Sequence, residues 1–141
     1  MSDVKFIPDW TNTPPEPGSY RSIVKEGRPD QIKVPSDKYF AQLKRDLKLD
    51  DDFFKNKQDG NQPLGPVPAS DLELGIVEEV IAIVGAENVQ VDDYNRVKYS
   101  YGKLAEEMTS LKRGVLHEIT GAAVHPRHKQ DVQKIVRLCD E

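Results

Sequence analysis

Proline divides this chain. Nine of its ten prolines stand at or before Pro68, and the tenth is Pro126. Proline fixes one backbone dihedral and removes an amide donor, so it ends helices and interrupts strand ladders. Pro8, Pro14, Pro15, Pro17, Pro29 and Pro35 cut the first stretch of chain into pieces too short for regular structure. Residues 1–69 therefore read as an extended Pro-rich N-terminal arm with one short helix. Residues 70–141 read as an α+β segment.

Within the arm, Pro17-Gly18 marks a turn, and Trp10, Tyr20 and Ile23 are spaced as anchors. Ser36 is a cap for a helix from Asp37 to near Leu49, with Tyr39, Phe40, Leu43 and Leu47 on one face. Asp50-Asp51-Asp52 opens a turn carrying Phe53 and Phe54. Gly60, Pro63, Gly65, Pro66 and Pro68 punctuate a linker over 55–69.

The second half carries the apolar periodicity. Ser70, with Glu73 three residues on, has the form of a capping box. Leu72, Ile76, Val77, Val80, Ile81 and Val84 follow at helical spacing, and Gly85 is a stop. Val89 and Val91 alternate with polar residues, as in a short strand. Tyr94, Val97, Tyr99 and Tyr101 line a polar-aromatic stretch up to Gly102. Leu104, Met108 and Leu111 predict a short helix ended by Gly114. Gly121-Ala122-Ala123-Val124-His125-Pro126 reads as a small-residue strand stopped by proline. A helix over Lys129–Cys139 follows, with Val132, Ile135, Val136 and Cys139 as its inward stripe. Strand, turn and amphipathic helix are the first two thirds of a βαβ unit. The closing strand is missing, so the chain reads as a piece of a longer protein or as one whose missing strand comes from a second chain. The other arrangement is a small α+β domain in which these elements pack on the Ser70 helix.

Composition removes several function classes. A length of 141 residues suits one modest domain. The net charge of −4 argues against a general nucleic-acid binder, which needs a basic surplus. One cysteine, Cys139, rules out an internal disulfide framework and a Cys-rich zinc module. No apolar run is long enough for a membrane span, and the Met1-Ser2-Asp3-Val4-Lys5-Phe6 start has no secretory h-region, so the expected setting is reducing and cytoplasmic.

The order of elements resembles a known family. The stretch Gly114–Glu141 is similar to the opening of the FAD-binding, PCMH-type domain of vanillyl-alcohol-oxidase-type flavoproteins. It looks most like the FAD-linked oxidase branch, which includes alkylglycerone-phosphate synthase and the D-lactate and glycolate dehydrogenases. The residues that carry this are Ala123-Val124-His125-Pro126, then Asp131-Val132-Gln133-Lys134-Ile135-Val136, with Tyr99-Ser100-Tyr101-Gly102 upstream. The start, from Trp10 through Tyr20-Arg21-Ser22-Ile23 with a Pro-rich run between, resembles the arm of bacterial members related to the synthase.

The resemblance implies the N-terminal portion of an FAD-dependent oxidoreductase acting on a hydroxy acid or related substrate. It implies an incomplete βαβ start of the FAD domain, with Pro126 at the strand end that approaches the adenine side of FAD. The family holds the FAD diphosphate on a glycine-rich turn after the second strand, where amides approach phosphate without a Cβ in the way. This sequence has only the isolated glycines of Arg113-Gly114 and Thr120-Gly121-Ala122 near its end. The family's substrate domain lies further on. The expectation is that this chain alone neither holds FAD tightly nor turns over substrate, and that its partner is the remainder of the flavoenzyme, in cis or as a second chain. The alternative is a small non-enzymatic module that docks on another chain.

Other candidate sites are weaker. His117, His125 and His128 are the three histidines; His125 and His128 straddle a strand–turn junction, with no cysteine or carboxylate at ligand spacing beside them. They read as surface or turn histidines. Cys139, on the inward stripe, reads as a buried small hydrophobe. Residues 70–95 carry seven acids and no base, whereas 96–137 carry nine bases against four acids. Two complementary solvated faces account for this pattern. A basic strip of Arg113, Arg127, Lys129 and Lys134, drawing an anionic partner, is the sharper reading.

Overall fold

The computed structural model describes residues 13–28, 31, 36–50, 52–53 and 60–140. The chain divides into two compact units, Met1–Pro63 and Leu64–Glu141. It is mixed α/β, mostly helical, with one small antiparallel sheet.

In the first unit the Pro-rich arm folds back on itself. Ser19 caps a short helix, α1 (Tyr20–Val24), its hydroxyl accepting from Ser22 N. Ser19 is buried, and so is Ile23, one of the expected anchors. An isolated antiparallel bridge joins Ser19 to Pro63, and Arg21 N donates to Gly60 O at 2.8 Å. Helix α2 (Asp37–Leu47) begins at the Ser36 cap and ends at Lys48, whose φ of 53° is left-handed. It is amphipathic, yet none of its residues is buried. Trp10, Phe54 and residues 55–59 of the 55–69 linker lie outside the described residues.

In the second unit, helix α3 (Leu74–Val84) starts three residues later than the Ser70 signal suggests. The Ser70 hydroxyl is otherwise engaged: it accepts from Leu72 N at 3.2 Å and donates to Gly121 O at 3.3 Å. Glu73 becomes the N-cap residue and makes no side-chain cap. Residues 70–73 stay extended because Leu72 lies against Gly121, where an added Cβ would come within 2.7 Å of Leu72 Cβ. Only glycine permits that approach.

Gly85 ends α3 at φ 90°, its amide donating to Ile81 O. A 3₁₀ turn over Ala86–Asn88 leads into strand β1 (Val89–Gln90). Helix α4 (Asp93–Ser100) occupies the polar-aromatic stretch, and α5 (Ala105–Lys112) follows. Strand β2 (Ala123–Val124) pairs with β1, and α6 (Lys129–Asp140) closes the unit.

Strand β2, for which the sequence supplied no parallel neighbour, has an antiparallel one. β2 runs antiparallel to β1, with Val89 opposite Val124 and Gln90 opposite Ala123. The tight Gly85–Asn88 turn delivers β1 to β2, where its backbone groups find partners. The core gathers Val80, Val84, Val97, Leu111 and Ala123, with Val84 and Val97 wholly enclosed.

Helix α6 is also rotated from the expected orientation. Asp131 is buried, and Ile135 and Leu138 are half-buried. Val132 is 47% exposed, Val136 is 54% exposed, and Cys139 is exposed as well. At about 100° per residue, the apolar residues Leu138, Ile135, Cys139, Val132 and Val136 span an arc of roughly 160°. Contact with α3 covers one side of that arc. Its width is the physical reason: the apolar arc is broad enough for two neighbours, and α3 alone covers only part of it.

Candidate functional site

The resemblance points to the backbone from Gly121 to Pro126, and helix α4 holds its lead-in. Asp92 caps α4, accepting from Asn95 N at 3.0 Å and from Asn95 Nδ2 at 2.8 Å. These hydrogen bonds to the charged carboxylate, the side-chain one first, hold the Asp92 pKa below its ordinary value.

So anchored, α4 turns Arg96, Val97 and Ser100 inward. Arg96 is 3% exposed. Its Nε donates to Thr120 O at 2.9 Å, and its Nη2 to Pro68 O at 3.0 Å. Its Nη1 pairs with Asp93 at 3.1 Å. Ser100 Oγ accepts from Thr120 N at 2.7 Å while donating to Arg96 O at 2.8 Å. Thr120 is thus held by both its amide and its carbonyl. Just beyond α4, the Tyr101 hydroxyl accepts from His117 N at 2.8 Å and donates to Val115 O at 3.3 Å. Three side chains from one helix end therefore fasten the backbone that enters β2.

At the other end of β2, His125 N donates to Asn88 O at 2.9 Å. Alternation along the strand then turns the N–H and C=O of Val124 away from β1. Among the described residues they meet no partner. The His125 ring lies edge-on to Tyr99, with centroids 5.3 Å apart, and its Nε2 is 3.4 Å from Gln90 Oε1. Lys98 Nζ sits over the rings of both Tyr94 and Tyr99.

Pro126 is exposed between His125 and a capped turn. Asp131 Oδ2 accepts from Arg127 N at 3.1 Å and from His128 N at 3.2 Å, and lies 3.8 Å from Arg127 Nε. The acidic residue after the proline is thus the acceptor that starts α6.

The remaining candidates do not converge. His117 contributes its backbone amide, His125 its ring, and His128 its amide to separate contacts. Among the described residues no group of His, Cys, Asp and Glu could hold a metal ion. Cys139 is exposed, which corrects its reading as a buried hydrophobe. In the basic strip, Arg113, Arg127, Lys129 and Lys134 are all exposed. Lys134 joins Arg137, Glu79, Ala82, Ile83 and Leu138 around an open groove of about 340 Å³ between α3 and α6.

The open side of Gly121 is filled by Leu72 and Ser70, so this glycine serves close packing. The sequence reading missed the inward role of Arg96, Ser100 and Tyr101. One local signal was available, the Asp92–Asn95 cap that begins α4.

Comparison with protein-family models, with curated proteins and with solved structures finds no match. No described helix is long and apolar enough to cross a membrane.

Proposed function

We propose that this chain is the N-terminal portion of an FAD-dependent oxidoreductase of the vanillyl-alcohol-oxidase type, acting on a hydroxy acid or related substrate. The strand–proline–capped-turn–helix unit from Ala123 to Asp140 is the start of its FAD-binding domain. Further strands complete the βαβ element, and the flavin's diphosphate is held outside this chain. Flavin supplies the hydride chemistry when bound. The role of this chain is to build and orient one side of the domain, with Pro126 at the strand end nearest the adenine.

One observation carries the reading. Helix α6 has an apolar arc wide enough for two neighbours, and Val132 and Val136 stay about half exposed on the side away from α3. Uncovered apolar area of this kind marks an interaction face. Beside it in sequence, Val124 presents an N–H and a C=O without partners. A neighbouring sheet satisfies both needs at once.

The test reads the DNA directly after the codon for Glu141 and titrates FAD. A continuing or adjoining frame should encode an apolar strand and a glycine-rich turn. The 141-residue chain should leave FAD fluorescence unquenched, and the chain with that downstream segment should quench it. Tight FAD binding by the 141-residue chain alone, or a stop codon with no such neighbouring frame, refutes the proposal. In the second case the non-enzymatic partner-binding module takes its place, a reading favoured by the amphipathic α2 without a buried residue.

A further inference from the structure

We propose that Arg96, Ser100 and Tyr101 are positioning residues: acting from the end of α4, they fix where the Gly121–Pro126 backbone lies, and so set the edge on which the rest of the oxidoreductase is built. The inference rests on the proposed function; it gives a role to Ser100 and Tyr101, which the resemblance contains without one, and adds Arg96.

The geometry behind it is economical. β2 is only two residues long, and its sole strand partner among the described residues is the equally short β1. Two such strands define a direction poorly by themselves. The direction is set upstream. Thr120 is gripped at its amide by Ser100 and at its carbonyl by Arg96, and His117 is gripped at its amide by Tyr101. Arg96 also reaches Pro68 O, so the same guanidinium ties the chain entering the second unit to the chain entering β2. Thr120 Oγ1 passes the constraint forward by donating to Ala122 O at 3.0 Å. Three consecutive steps, from α4 to Thr120 to Ala122 to Val124, thus fix which way the unpartnered Val124 amide faces. A loosened Thr120 leaves α3 and its bond from Gly85 N to Ile81 O untouched.

Residue-resolved amide hydrogen exchange tests this on the full 141-residue chain. Ser100→Ala should speed exchange at Thr120 by about tenfold, the loss of one net hydrogen bond, with Gly85 unchanged. Ser100→Thr keeps the hydroxyl and should restore the slow rate. Tyr101→Phe removes the acceptor of His117 N and should speed exchange at His117 by a similar factor. The second arm adds the polypeptide encoded directly after Glu141, in cis or as a separate chain. There the Val124 amide should become protected, and Ser100→Ala should cut that protection about tenfold while Gly85 again holds.

Unchanged exchange at Thr120 and His117 overturns the positioning role. So does a Val124 amide equally protected in wild type and Ser100→Ala, an outcome that leaves the functional reading standing. A Val124 amide that exchanges freely in the wild-type protein with the downstream segment present overturns the functional reading, and the positioning role with it.

Discussion

Replacing Arg96 by Met is the most informative single change in the second unit. The guanidinium is 3% exposed, and three of its hydrogen bonds end on separate pieces of chain: Thr120 O, Pro68 O and Asp93. Methionine has similar length and removes the buried charge itself, so the loss falls on the partners. Asp93 is 64% exposed and regains water at little cost. The two carbonyls are the expensive part. A hydrogen bond to a charged group contributes about 1.5–3 kcal/mol, and two such bonds are lost. Relief from desolvating the guanidinium offsets part of this. The expected net destabilisation is about 3 kcal/mol. Urea unfolding followed by far-ultraviolet circular dichroism measures it, with the midpoint falling and the slope unchanged. Arg96→Lys should recover less than half, because one ammonium cannot span both carbonyls. A change below about 0.5 kcal/mol for Arg96→Met, the range of an ordinary surface substitution, would mean that Arg96 does not bind these segments together.

Gly121→Ala drives a methyl onto Leu72 Cβ and should cost about 1–3 kcal/mol in a thermal melt, with Leu72→Gly in the same chain recovering part of it because only glycine removes that Cβ, and Leu72→Ala recovering little. Asp92 titrates below its ordinary value when folded, so its contribution to α4 is complete above the usual carboxylate range and is lost as pH falls through the lowered value. Acid titration of Asp92→Asn, from about pH 5 downward, should show a shallower loss of helix than wild type; an unchanged acid limb counts against the cap. Val136→Lys should leave the stability of the 141-residue chain within about 0.5 kcal/mol, since Val136 is already 54% exposed, whereas Leu138→Lys, at a half-buried position beside α3, should cost about 1 kcal/mol; equal effects would mean that the two sides of α6 are equally covered. Cys139 should react with a soluble thiol reagent at nearly the rate of the urea-unfolded chain, and a protected thiol contradicts its exposed position.

What the sequence made legible was local. Ser36 capping α2, Gly85 ending α3, and the apolar spacing of α6 all report on backbone neighbours within a turn or two, and each element stands close to where those signals put it. The misreadings were non-local. Ser70 has the form of a helix cap, but its hydroxyl accepts from Leu72 N and donates to a residue fifty-one positions away. Ala123–Val124 has the composition of a strand, and composition does not say whether its neighbour is parallel or antiparallel. A non-local tie in the second unit, Arg96 with Pro68 and Thr120, looks in sequence like one more member of a basic run.

The same distinction bears on α6. Periodicity established that Val132, Ile135, Val136 and Cys139 share an apolar side, and that remains true of the helix. It could not say how much of that side one neighbour would cover. Packing against α3 takes up Ile135 and Leu138 while Asp131 turns inward to cap the preceding turn. The cap and the packing together fix the helix rotation. Rolling α6 to bury Val132 and Val136 against α3 would pull Asp131 from Arg127 N and His128 N, leaving two amides at the head of the helix without their acceptor. The exposed half of the arc is therefore imposed by the turn after Pro126, and only a second neighbour can cover it without breaking that turn.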